Sequence, residues 1–266
     1  MTGTYATVNG LRTYYEDHPA TSREQESGTP APPMLLLHGG GVTADSWSVH
    51  LPALTAQHRV LVPERRGHGR TQDLPGPFTY RTMAEDTAAL IDHLGTGPVH
   101  AVGWSDGGVV ALHLALHRPD LVRTLTVIGT STDEGVEAST QALFTDSEEN
   151  RQLLSAMFQA PYAALSPDGP GHFPVVLGKL TDMWRQGPEL ALNDLKDIPT
   201  PTLVAIGDHD EVTVGHADAM ARALPQAQLA VVPGTTHALP LEKPHLVGEL
   251  VLGFVSAPVM PGPDFG

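Results

Sequence analysis

A chain of 266 residues with 41% hydrophobic composition is long enough for one sizeable domain, which at this length buries roughly 70–75% of its unfolded surface without staples. It has no cysteine, which excludes disulfides, thiolate metal sites and a cysteine nucleophile. Thirty acidic against fifteen basic residues give a net charge of −15, a surface that repels nucleic acid and anionic lipid and removes both as expected partners.

Residues 1–10 are polar and lack the apolar core of a signal peptide. The apolar runs are short; the one near residue 250 is broken by Gly253, far below the roughly 20 residues that span a bilayer. The expectation is a soluble, cytoplasmic protein. Residues 7–15 alternate around Asn9-Gly10, a hairpin signal. A polar, Pro-rich loop over 22–33 leads into residues 34–37, a wholly apolar run of the kind buried on both faces of a parallel sheet, which stops at His38-Gly39-Gly40-Gly41.

Strand, loop and helix then recur. Residues 60–62 form a strand ending in Pro63-Glu64-Arg65-Arg66-Gly67-His68-Gly69. Met83, Thr87, Leu90, Ile91 and Leu94 mark a helix stopped by Gly95. Residues 99–104 are a buried strand followed by a helix through Leu116, and residues 125–128, 202–206 and 229–232 supply three further strands. A last helix aligns Leu246, Val247, Leu250, Val251 and Phe254. This alternation predicts an α/β fold, a mostly parallel sheet with helices on both faces.

Residues 131–197 interrupt it with helical fragments and Pro/Gly turns, beginning in an acidic run that includes Asp133, Glu134 and Glu137. They are expected to form a helical cap inserted into a core made of 1–130 and 198–257. The Pro/Gly-rich tail over 258–266 is expected to be disordered.

Gly103-Trp104-Ser105-Asp106-Gly107 fits G-x-S-x-G. In that arrangement a serine sits on a sharp strand-to-helix turn, and flanking glycines permit close backbone approach. The buried strand entering it and the apolar helix leaving it supply the context the pattern requires. A serine hydroxyl needs a base, and His237 follows the last strand in Pro233-Gly234-Thr235-Thr236-His237, where open α/β sheets gather their catalysts. His113 and His117, one turn apart, read instead as a helix face. Asp210, in Gly207-Asp208-His209-Asp210 after the strand over 202–206, can hold the imidazole and stabilise its charged form. Asp208-His209-Asp210 could also be read as metal ligands, but no second His/Asp cluster accompanies it. Asp133 and Glu134, after the preceding strand, compete with Asp210 as the acid.

Four motifs in order, His38-Gly39-Gly40-Gly41, Arg66-Gly67-His68-Gly69, the turn at Ser105, and Gly207-x-x-Asp210 followed by His237, make the chain resemble the α/β-hydrolase superfamily over nearly its whole length. The order Ser, Asp, His is that superfamily's order. The resemblance implies a serine hydrolase acting on an ester or lactone through an acyl-enzyme, with no metal or organic cofactor. It places the oxyanion hole at the backbone N–H of Gly40 and Asp106, with Gly41 as a substitute for Gly40. His38, Glu64, Arg66 and His68 would brace these loops. Asp106 makes the turn similar to that of biphenyl-hydrolase-like enzymes that cleave amino-acid esters. Its carboxylate would then receive a substrate ammonium group, or else simply cap the helix start.

A roof over the site is expected from apolar residues of the cap. Met157, Phe158 and Trp184 are read as substrate contacts together with Gly41 and Trp104, while Leu143, Leu154, Phe173 and Met183 line the roof or form the cap's own core. Perhydrolases and C–C hydrolases share such a triad, and amide cleavage would use the same groups. A receptor-like protein that keeps the fold with little turnover is the reading from a different class.

Overall fold

The computed structural model describes residues 3–21, 31–133 and 135–258. The polar loop over 22–33 lies largely outside these residues, as do Glu134 and all but the first residue of the 258–266 tail.

The chain opens with strands β1 (Thr4–Val8) and β2 (Leu11–His18), paired antiparallel. Asn9 and Gly10 between them both take positive φ, 50° and 75°, the type I′ geometry that fits the twist of a two-residue hairpin. β3 (Met34–Leu37) and β4 (Val60–Pro63) flank a short helix α1 (Leu51–Leu54). Helix α2 (Tyr80–Leu94) starts at Thr79, whose side chain accepts from the Thr82 N–H, and stops at Gly95 in the left-handed region. Then come β5 (Val99–Trp104), α3 (Asp106–His117) and β6 (Val122–Ile128).

The stretch between β6 and the next strand holds helices α4 (Ala138–Leu143), α5 (Glu148–Leu165) and α6 (Phe173–Gln186). The chain finishes with β7 (Thr202–Gly207), α7 (Val214–Ala223), β8 (Ala227–Val232), α8 (Leu239–Glu242) and α9 (Pro244–Ser256).

The eight strands form one sheet in the order β1-β2-β4-β3-β5-β6-β7-β8, parallel from β4 to β8. Alternation along each strand sorts its side chains onto two faces. Leu35 and Leu37 join Ala101, Leu125, Val127, Val204 and Ile206 under α2, α3 and α7. Met34 and Leu36 join Val102, Ile128 and Ala205 under α1 and α9. Strands buried on both faces are near-continuous apolar runs, as β3 and β4 are; β5 departs only at His100, whose Nδ1 is satisfied by the Thr124 hydroxyl of β6.

The N-terminal half of β6 departs from the expected 125–128, because Val122 and Thr124 also pair with β5 despite the polar residues there. On α9, Val247, Val251 and Phe254 are buried while Leu246 is exposed. Among the described residues no helix is long and apolar enough to cross a membrane.

Parallel strands bring all their carboxyl ends to one edge, the place where open α/β sheets bind ligands. Here that edge collects the loops that follow β3, β5, β6, β7 and β8.

Candidate active site

Ser105 leaves β5 at φ 55° and ψ −123°, a conformation that a non-glycine residue adopts only under constraint. The constraint is visible. The Ser105 N–H donates to the Ile128 carbonyl of β6, and the Ser105 carbonyl accepts from the Gly108 N–H at the start of α3. The turn also needs its glycines. A Cβ at Gly103 would stand 2.3 Å from the Gly107 carbonyl oxygen, and one at Gly107 would stand 2.1 Å from that of Leu37.

The His237 Nε2 lies 2.9 Å from the Ser105 Oγ, and its Nδ1 lies 2.8 Å from the Asp210 Oδ1. Residues far apart in sequence thus form one hydrogen-bonded line. The two loops that carry Asp210 and His237 are stapled together: the His209 N–H donates to the Thr235 carbonyl at 3.0 Å, and the Thr235 N–H donates to the Asp208 carboxylate at 3.2 Å. The Trp104 indole N–H donates to the His237 carbonyl at 2.8 Å, fixing the imidazole's own backbone. The Asp210 side chain is fully buried and its Oδ1 also accepts from the Val212 N–H. Burial opposes charging of His237, but the Asp210 hydrogen bond and charge, with the Glu211 and Asp106 carboxylates, outweigh it and raise its pKa.

Asp133 lies elsewhere: it is exposed and its carboxylate accepts from the Leu190 N–H. Its competitor Glu134 lies outside the described residues. Among the described residues no group of three or more His, Cys, Asp or Glu side chains could hold a metal ion, so Asp208-His209-Asp210 gains no further ligand. His113 is buried with its Nε2 on the Pro188 carbonyl, a packing role.

The loop after β3 faces Ser105 from the other side. Here the expectation for Gly41 fails: its N–H donates to the His68 Nε2 at 3.2 Å, and it is absent from the cavity lining. Its amide is thus already engaged and is not offered to the cavity as a second donor beside Gly40. Among the described residues the N–H groups of Gly40 and Asp106 have no protein acceptor, and both residues line the cavity beside Ser105. His68 accepts from Gly41 and therefore donates from Nδ1 to the Arg66 carbonyl. That neutral form is the one burial favours, lowering its pKa to about 3. Glu64 is fully buried and takes the Arg70 guanidinium and the Ala44 N–H, and Arg66 pairs with Asp86.

Asp106 does something the sequence did not suggest. Its buried carboxylate accepts from the Tyr80 hydroxyl at 2.8 Å and from the Trp184 indole N–H at 2.9 Å. It neither caps α3 nor stands free for a substrate cation. Instead it joins α2 and α6 to the turn that carries Ser105.

The cavity above Ser105 has a volume of about 470 Å³, within the range of small-molecule sites. Trp104, Met157, Phe158 and Trp184 line it, with Leu143 and Leu154. Phe173 and Met183 do not; they are buried in the core of the inserted helices. The lining contains no Lys or Arg, and its carboxylates are Asp106 and Glu211. Sequence reasoning missed Tyr80, Gly129 and Glu211. Only Glu211, adjacent to Asp210, carried a local signal.

Comparison with known proteins agrees with this architecture. A model of the Alpha/beta hydrolase family matches residues 34–250. The chain is 30% identical over 270 residues to an Azorhizobium caulinodans protein provisionally named the carbamate hydrolase RutD, covering 94% of this chain and 97% of that protein. It is 27% identical to a non-heme haloperoxidase of Rhodococcus erythropolis, over 85% of this chain and 92% of that one. The crystal structure of a hydrolase from Pseudomonas aeruginosa PA01 superposes with a TM-score of 0.75 at 26% identity, covering 96% and 99% of the two chains.

Proposed function

The chain belongs to the Alpha/beta hydrolase family, and on that premise we propose that it is a serine hydrolase cleaving a small carboxylic ester or lactone. The observation that carries this reading is the Ser105–His237–Asp210 line, with contacts of 2.9 and 2.8 Å, opening into an apolar cavity.

The Ser105 Oγ attacks the substrate carbonyl carbon as its proton passes to the His237 Nε2, and the carbonyl π electrons move to oxygen. The N–H groups of Gly40 and Asp106 receive that oxyanion. One such donor is typically worth about 10²–10³ in rate. Collapse of the tetrahedral intermediate breaks the bond to the leaving alcohol, which takes the proton from His237. Water, deprotonated by the same imidazole, then attacks the acyl-enzyme and restores Ser105. Asp210 holds the imidazole tautomer and balances its charge. The helices between β6 and β7, contributing Leu143, Phe144, Leu154, Met157, Phe158 and Trp184 to the lining, serve as a cap that selects the substrate.

Charge narrows the class. A lining with two carboxylates and neither Lys nor Arg gives an anionic substituent little to pair with and the Asp106 and Glu211 charges to repel it. The substrate is therefore uncharged or cationic, with an apolar acyl or alcohol part. Similarity to RutD favours carbamates as a second arm. Matched p-nitrophenyl esters with neutral, cationic and carboxylate-bearing acyl groups, plus one carbamate, test the reading. Neutral esters should be turned over, with the carboxylate-bearing ester at least about tenfold lower in kcat/KM, a difference of about 1.4 kcal/mol. Preference for the anionic ester would overturn the charge argument.

A further inference from the structure

Arg65 is an unusual residue for its position. It follows Glu64 at the end of β4, only 5% exposed, and among the described residues no carboxylate lies within 4 Å of it to form a salt bridge. A buried guanidinium is expensive unless its donors are used. Two of its three nitrogens are used, on the adjacent carbonyls of one loop, while Nε has no partner among the described residues. Nη1 donates to the His38 carbonyl, and Nη2 donates to the Gly39 carbonyl at 2.9 Å. The His38 Nδ1 donates to the same Gly39 oxygen at 2.7 Å, and the His38 Nε2 accepts the Arg65 N–H. Burial pulls the guanidinium down to about 10, against the charge of the Asp106 carboxylate, so it stays charged at neutral pH.

The geometry follows from the peptide bond. No peptide in the described chain is cis, so each N–H points away from the carbonyl of its own peptide unit. Two donors pinning the Gly39 carbonyl therefore fix the direction of the Gly40 N–H on the opposite side, where Gly40 lines the cavity. Gly40 has no side chain to restrain it, and its successor Gly41 has positive φ, so the loop has little stiffness of its own.

We infer that Arg65 is the positioning residue of the oxyanion hole: its guanidinium fork clamps the His38 and Gly39 carbonyls, aims the Gly40 N–H at the reacting carbonyl, and polarises that peptide toward the developing negative charge. This rests on the serine-hydrolase reading above. Arginine suits the task because its planar fork reaches two acceptors at once, which the single ammonium of lysine does not.

The test compares Arg65→Lys and Arg65→Met on a neutral p-nitrophenyl ester, with two inhibitors of the same alkyl length. An alkylboronic acid becomes tetrahedral on the Ser105 oxygen and uses the hole. The ether isostere of the ester occupies the cavity without using it. Arg65→Met should lose about 10² in kcat, the scale of one oxyanion donor, with KM within threefold. Boronate binding should weaken by a similar factor, and ether binding should stay within threefold. Arg65→Lys should fall between Met and wild type.

Equal weakening of both inhibitors, or kcat within threefold of wild type, would overturn the inference. If Arg65→Met lacks a cooperative melt, Arg65→Lys carries the comparison. A lysine variant that also fails to melt cooperatively would mark Arg65 as a packing residue and overturn it too. Failure of the serine reading itself would appear separately, as full turnover by Ser105→Ala, and would remove the role of Arg65 with it.

Discussion

The Asp106 carboxylate accepts the Trp184 indole N–H at 2.9 Å, joining the residue after the candidate nucleophile to a helix that lies 78 positions later. With the Tyr80 hydroxyl on its other oxygen, the carboxylate is the node where sheet domain and inserted helices meet. Asp106→Ala leaves two donors without their acceptor, at about 1–3 kcal/mol for each group left buried and unpaired. The melting temperature should fall, and turnover of neutral esters and amino-acid esters should decline together, because both oxygens are already engaged. Paired kcat/KM values for the two ester classes check this. Loss confined to the amino-acid esters would show that the carboxylate meets the substrate's ammonium.

The pH profile follows from the charges around His237. As the proposed base it must be neutral, so activity should fall as it protonates on the acid side. Burial lowers its pKa, but Asp210, Glu211 and Asp106 together raise it above the ordinary 6.5. The acid limb of kcat/KM should therefore have its midpoint above 6.5. Glu211→Gln removes one negative charge that favours the imidazolium, so the midpoint should move to lower pH while the maximal rate is kept. A midpoint that stays put, or moves up, would mean that Glu211 does not act on His237.

The identity of the acid has a sharp signature. An asparagine at a triad acid keeps the shape but favours the wrong imidazole tautomer, which in a serine protease costs about 10⁴ in kcat. Asp210→Asn should lose several orders of magnitude. Asp133→Asn, whose carboxylate accepts from the Leu190 N–H, should stay within roughly tenfold, a peripheral change of about 1.4 kcal/mol. Steady-state kinetics on one ester separates them, and the reverse ranking would move the acid to the β6 loop.

Gly129 reaches the triad without belonging to it. It sits just past β6 at φ 55°, and a Cβ there would stand 2.8 Å from the Asp210 Oδ2 and 3.1 Å from the His237 Nδ1. Gly129→Ala should cost roughly 1–2 kcal/mol for the left-handed backbone. It should also lower kcat by about tenfold or more by displacing the Asp210–His237 contact. A variant with wild-type kcat would show that the loop yields without disturbing the triad.

Much of the fold was legible because the strands are buried on both faces. β3 is an apolar run with abrupt ends and β5 is one interrupted only by His100, so their limits could be read directly. β6 was longer than expected because Arg123 and Thr124 interrupt its apolar pattern while its backbone still pairs with β5. Helix α7 went unread between two clear strands. Ser105, Asp210 and His237 stood out because strand ends and glycine spacing are local signals. Arg65 on the Gly39 carbonyl and Trp184 on Asp106 did not, since each depends on which segments the fold brings to one sheet edge. Gly41 was misread for the same reason: nothing local says that His68 will claim its amide.

The central claim is that the Ser105 oxygen becomes acylated. Intact-protein and peptide mass spectrometry after reaction with a fluorophosphonate, alongside ester turnover by wild type and Ser105→Ala, measures this most directly. A single adduct on the peptide containing Ser105, together with loss of nearly all turnover in a Ser105→Ala protein that melts like wild type, is the predicted result. An adduct on another residue, or a Ser105→Ala protein active within tenfold of wild type, would contradict it.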